Sequence, residues 1–111
     1  MLNAISGDLE RYMDLLSTRQ KLVASNIANA DTPGYRTKDL DFQAEFSRAV
    51  SGEPQVVEPE GLKVKNDGNN VSVDRESRLL AENALRFQTA TALLRKEIRV
   101  TRMAIDEGRS S

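Results

Sequence analysis

Asn26-Ile27-Ala28-Asn29-Ala30-Asp31-Thr32-Pro33-Gly34-Tyr35 is the stretch whose reading decides the fold. Pro33 fixes φ and suits the second position of a turn, and Gly34 accepts positive φ at the third. Thr32, ahead of the proline, is driven out of the α region. A helix arriving from the N-terminal side therefore stops near Ala30, and the chain leaves in a set direction with Tyr35 at the exit. Asn29 reads as a helix C-terminal residue that tolerates unusual φ/ψ. The other reading is that the Asn26 and Asn29 amides bridge backbone groups and hold the Thr32–Tyr35 turn against a second helix.

On the N-terminal side, Leu2, Ile5, Leu9, Tyr12, Leu16, Val23 and Ala30 fall on alternating three- and four-residue spacing, interrupted by Arg19 and Asn26. Met13, Leu15, Leu22 and Ile27 widen this stripe. The pattern predicts a helix over 2–30, roughly 40 Å long. On the C-terminal side, 31–52 reads as a loop and a short helix. Asp41 caps that helix, Phe42, Phe46 and Val50 share a face, and Gly52 closes it. Pro54 and Pro59 forbid a regular helix in the next segment. Leu62-Lys63-Val64-Lys65 alternates like a short strand, and Asn66-Asp67-Gly68-Asn69-Asn70 is a turn cluster. Residues 53–71 therefore read as a flexible loop with a short strand, with 47–70 poorly ordered in isolation.

The final helix is predicted over 73–106. Ser72 or Asp74 caps it, and Asp74 and Glu76 suit its positive N-terminal dipole. Leu80, Ala84, Phe87, Thr91, Leu94, Ile98, Thr101 and Ile105 run at heptad-like spacing, Leu79, Leu93 and Val100 form a second stripe, and Gly108 ends the pattern. The fold class is mainly α: residues 1–111 form a single domain in which two long terminal helices make a coiled-coil-like hairpin around a short irregular middle. Its expected assembly seam comprises Leu9, Tyr12, Leu16 and Val23 facing Leu80, Phe87, Leu94, Ile98 and Ile105. A lone two-helix hairpin buries little. Helices apolar on more than one side need more than one neighbour, so neighbouring subunits are expected to complete the fold through self-association.

The composition excludes several functions. The 111 residues carry a net charge of −1 and contain neither His nor Cys. The commonest general base, thiolate chemistry and the commonest metal ligands are therefore missing. No catalytic residue, metal or cofactor is expected, and no small-molecule substrate. Nucleic acid is disfavoured because there is no basic excess. Arg95, Arg99 and Arg102 share one stripe, read either as a solvated face or as a contact for acidic patches of neighbours. Asp39, Asp41, Glu45, Asp106 and Glu107 are the candidate partners for that contact. The N-terminal residues lack the features of a Sec signal peptide, which predicts either a cytosolic protein or export by another route.

Ala24-Ser25 followed by the opening stretch resembles the N-terminal signature of bacterial flagellar rod and hook proteins. That pattern is Asn, aliphatic, Ala, Asn, two variable positions, Thr, Pro, Gly, aromatic, and every position is matched here. Arg36-Thr37-Lys38-Asp39-Leu40-Asp41-Phe42, and Asn66 through Glu76 leading into the last helix, are similar to proximal rod members. The middle, between about 50 and 65, is shorter than is common there. The resemblance implies a structural subunit of the proximal rod of the basal body, packed helically to transmit torque from motor to hook. Its implied partners are other rod proteins, the FliE adaptor, the membrane ring and the type III export gate, reached without a Sec signal. It also implies that the termini are disordered before assembly, and makes Phe42-Gln43-Ala44-Glu45-Phe46 a candidate export-recognition element. The alternative reading of the residues is a cytosolic helical-hairpin adaptor or chaperone.

Overall fold

The computed structural model describes residues 4–48 and 53–110. The predicted helix start at Leu2, and Val50 and Gly52 themselves, lie outside the described residues, but the short helix already ends at Ser47, where Arg48 turns extended, so Gly52 does not close it. The elements run α1 (Ala4–Ala28), β1 (Asp39–Leu40), α2 (Phe42–Ser47), β2 (Val56–Val57) and α3 (Val73–Ser110).

Local chemistry sets these boundaries. Asp41 accepts from the Ala44 amide at 3.2 Å and caps α2. Of the two residues proposed to cap α3, Ser72 does so, its Oγ accepting from the Arg75 amide at 3.2 Å. Gly108 does not end α3, which runs through it to Ser110. The cost of a glycine in a helix is only about 1 kcal/mol, too little to stop a helix this long. The predicted strand at Leu62–Lys65 is not formed. β1 pairs instead with Val56–Val57, antiparallel, in the register Asp39↔Val57 and Leu40↔Val56. Pro54 and Pro59 bracket this β-branched pair and keep it extended, while the Lys65 amide closes a turn onto the Asn69 carbonyl at 2.8 Å.

α1 and α3 are antiparallel and give the molecule its extents of 71 × 26 × 17 Å. The pairings Asn26–Glu76 and Gln20–Asn83 set the register. By it Ala4 lies level with Ile98 and Arg99, and α3 runs on past the described start of α1. The buried apolar residues are Leu15, Leu16, Val23, Leu40, Val71 and Ala90, a small core for so long a molecule.

The structure corrects the expected seam. Leu16 and Val23 are buried, and Leu9, Tyr12, Leu94 and Ile98 are half-buried. Leu80, Phe87 and Ile105 are exposed. The centre of α3's inner face is instead Glu76, Asn83 and Ala90, all buried. Polar partners on α1 draw the first two inward, which rotates α3 and leaves Leu80 and Phe87 on its flank. Ile105 lies where α3 has passed the described part of α1.

Candidate functional site

The predicted turn motif forms the centre of a polar hub at one end of the hairpin. Tyr35 N donates to Thr32 O at 3.2 Å. Gly34, at φ 75°, takes the third position, as a type II turn requires. Thr32, Pro33 and Gly34 are exposed, Asn29 and Tyr35 half-buried, and Asn26 buried. Among the described residues no non-glycine has positive φ, so Asn29 is not there for unusual backbone geometry. Its side chain ties the helix end instead: Nδ2 donates to Ser25 O at 2.9 Å, and Oδ1 accepts from Thr32 Oγ1 at 3.0 Å.

Asn26 is the keystone. Its Oδ1 accepts from Lys38 N and from Tyr35 Oη, both at 3.1 Å. Its Nδ2 donates to Lys38 O at 2.8 Å and to Glu76 Oε1 at 2.5 Å. One side chain thus joins α1, the segment leading into β1 and the first turn of α3.

A second loop closes over the turn. Asn69 Nδ2 donates to Asn29 O at 2.9 Å and Thr32 O at 2.8 Å, adding a second donor to carbonyls that already accept the backbone bonds of the turn after α1. Asn70 Oδ1 accepts from Thr37 N at 2.6 Å, and Thr37 Oγ1 donates to Asn70 O at 3.1 Å. Gly34 N donates to Asp67 O at 2.8 Å. The loops meet so closely that a Cβ on Gly68 would lie 3.4 Å from the Gly34 Cα. Asn69, Asn70 and Thr37 are all buried.

Beside Asn26 lies a charge network. Arg19 holds Asp39 through two bonds, Nε–Oδ1 at 2.9 Å and Nη2–Oδ2 at 3.0 Å. Arg75 reaches Asp39 Oδ2 and Glu76 Oε2, both at 2.6 Å. Burial pushes the Asp39 carboxyl up, but hydrogen bonds from Arg19, Arg75 and the Leu40 amide outweigh it and leave it below its ordinary 3.8. Burial likewise opposes the charge on Arg75, and its bonds to Asp39 and Glu76 raise its affinity for the proton. Each buried carboxylate therefore has a cation and further donors, the condition under which a buried charge is tolerated.

Several predicted site residues are used locally. Phe42 and Phe46 pack edge-on against Tyr12, with centroids at 5.3 and 5.7 Å. Arg11 lies over the Phe46 ring and donates to the Phe46 carbonyl. Three of the acidic residues proposed to meet a neighbour's arginines are already engaged within the chain: Asp39 in the network, Asp41 as a cap, and Glu45, buried, with Arg48 at 2.6 Å. Arg95, Arg99 and Arg102 are exposed and flank Ile98 in a shallow cleft on α3.

Sequence reasoning noted Arg19, Asp39 and Glu76 in other roles and missed that they meet Asn69, Asn70 and Arg75 in this hub. The available signal was the interruption of the first stripe at Arg19 and Asn26. A charged or amide side chain at an inward heptad position needs a buried partner. The arrangement fixes backbone geometry at the crossing of three chain segments, and among the described residues no acidic cluster is arranged to hold a metal.

Comparison with known proteins agrees with this structural character. A model of the family described as "Flagella basal body rod protein" matches residues 13–36, the second half of α1 and its turn. The chain is 37% identical to the flagellar basal body rod protein FlgB of Cereibacter sphaeroides over 76% of this chain and 80% of that one. It is 33% identical to that of Borrelia hermsii over 78% and 85%. It is 28% identical to that of Yersinia ruckeri over 97% of this chain and the whole relative. The last alignment spans 137 positions against 111 residues here, so the relative carries stretches that this chain lacks. The chain belongs to the FlgB family of flagellar basal body rod proteins, and its role is that of a structural rod component.

Proposed function

We propose that the chain is a subunit of the proximal part of the rod, packed helically with its neighbours to carry torque from motor to hook. On this reading it contacts other rod proteins and the FliE adaptor, and joins the rod to the membrane ring and export gate. The observation that carries it is the unfinished packing of a rigidly clamped hairpin: Leu80, Leu85, Phe87, Leu93, Val100, Met103 and Ile105 are all exposed on α3. A helix apolar on several sides needs several neighbours, and densely packed helices resist shear.

The chain reaches the rod through the type III apparatus, unfolded. Phe42 and Phe46 serve as its recognition element there. In the folded chain both rings pack on Tyr12, so recognition acts before α2 docks. The test is purification of basal bodies from cells carrying a tagged chain. Recovery at the membrane-proximal end of the rod, with loss of motility on deletion, is expected. A tagged chain found only in the cytosol overturns the reading and favours an adaptor or chaperone.

A further inference from the structure

We propose that Asp67–Gly68 is a latent isoaspartate site: the closed hub holds it unreactive, an open chain converts it, and the converted chain does not close the hub again. This behaviour needs only the hub, whatever the chain assembles with.

Asp67-Gly68 is the one Asp-Gly pair of the chain, and the chain has no Asn-Gly pair. In such a pair the glycine nitrogen attacks the neighbouring side chain. A bond forms from Gly68 N to Asp67 Cγ, and the amide proton leaves with the carboxyl hydroxyl as water. Water then adds back to the cyclic succinimide at either of its carbonyls. Opening at the side-chain carbonyl restores aspartate. Opening at the main-chain carbonyl leaves isoaspartate, with the backbone running through Cβ and Cγ. Glycine favours the attack because no Cβ crowds its nitrogen and its backbone turns freely.

In the folded chain every group that must move is held. Gly68 N donates to Lys65 O at 2.9 Å, and Asp67 O accepts from Gly34 N at 2.8 Å. Both polar atoms of one planar peptide are thus bonded to separate partners, which stops it turning its nitrogen toward Cγ. The carboxylate is held too, its Oδ1 accepting from Asn69 N at 3.0 Å. Asp67 is exposed, so water and buffer reach the side chain freely. Protection therefore comes from fixed bonds and not from burial, and it ends when the hub opens.

Conversion damages the hub itself. The Asp67 main-chain carbonyl leaves the backbone as a free carboxylate, and the link to Gly68 lengthens by one carbon. Asn69 and Asn70, both buried, follow at once. Asn69 Nδ2 must reach Asn29 O and Thr32 O, and Asn70 Oδ1 must reach Thr37 N. A longer link ahead of them does not satisfy these bonds and the Gly34 amide together. Time spent open is thus recorded as a covalent change that removes the chain from the folded pool.

The test incubates the full chain at one pH and temperature in two states: in buffer at a concentration where circular dichroism shows it helical, and in guanidinium chloride. Peptide mapping with electron-transfer fragmentation measures isoaspartate at Asp67. The unfolded sample is expected to hold at least roughly tenfold more, the ratio that about 1.4 kcal/mol of hub closure gives. After dilution from denaturant, isoaspartate is expected to collect in the fraction that stays unfolded. Asp67→Ser removes the attacked carboxyl, keeps an oxygen for the Asn69 amide, and is expected to refold in full after the same incubation. Equal isoaspartate in the two states overturns protection by the hub, and none in denaturant overturns the site; both readings use the unaltered chain. An isoaspartate-bearing chain that regains full helicity overturns the block on closure. A loss of refolding in Asp67→Ser as large as the parent's overturns Asp67 as its cause.

Discussion

At the scale of single residues, the asparagines decide the geometry. Asn26 satisfies two donors and two acceptors at once. Asn26→Ala leaves the Glu76 carboxylate and the Lys38 backbone short of partners, and an unsatisfied buried group costs about 1–3 kcal/mol, more when charged. We expect a loss of about 3 kcal/mol in urea denaturation at concentrations where the chain is helical, enough to unfold a marginal domain. Gly68, at φ 87°, is a second sensitive position. Gly68→Ala strains a left-handed backbone, at an expected cost of about 1–2 kcal/mol by the same measurement.

Asp39 makes the hub acid-sensitive. Its folded pKa lies below the ordinary 3.8, so the unfolded chain binds the proton more tightly. Its contribution is complete above that ordinary value and is lost as pH falls through the folded pKa. Denaturation midpoints are expected to drop below about pH 4. Asp39→Asn removes this component of the acid dependence, and costs about 3 kcal/mol at neutral pH by leaving Arg19 uncompensated.

At the scale of elements, the two long helices were legible because apolar spacing over many turns is a redundant signal. The opening turn was legible because Pro33 fixes φ and Gly34 admits the positive φ that the next position needs. The hub was not, because its partners are distant in sequence: Asn69 answers Asn29, and Glu76 answers Asn26. Composition makes 66–70 an ordinary turn, and only the fold shows that Asn69 and Asn70 are buried. The misplaced strand has the same cause, since Leu62–Lys65 has the alternation while Val56–Val57 has the partner. Capping supplies a test at this scale. Ser72→Ala removes the acceptor for the Arg75 amide and is expected to cost about 1 kcal/mol. Amide exchange should accelerate first in the opening turn of α3.

For the whole molecule, the balance between few buried apolar residues and much exposed apolar surface governs behaviour. Leu94 and Ile98 are half-buried on the part of α3 that faces the start of α1. Leu94→Asp or Ile98→Asp places a charge where both the hairpin and a neighbour want apolar surface. Assembly should be abolished, and motility in cells carrying either variant checks this. The dilute chain is expected to be weakly helical, with circular dichroism deepening as concentration rises. A cooperative, highly stable transition in dilute solution would contradict that expectation.

Clamping at one end has a mechanical consequence. The hub joins α1 and α3 like the base of a tuning fork, while farther out the seam is made by small apolar side chains such as the buried Ala90 and not by bonded amides. Compliance is therefore uneven: stiff at the root, softer toward the tips. A subunit built this way fits different local curvatures by splaying its prongs a little, with the pivot unchanged. The asparagine lattice acts as that pivot, and the shape of an assembled wall is accommodated at the other end.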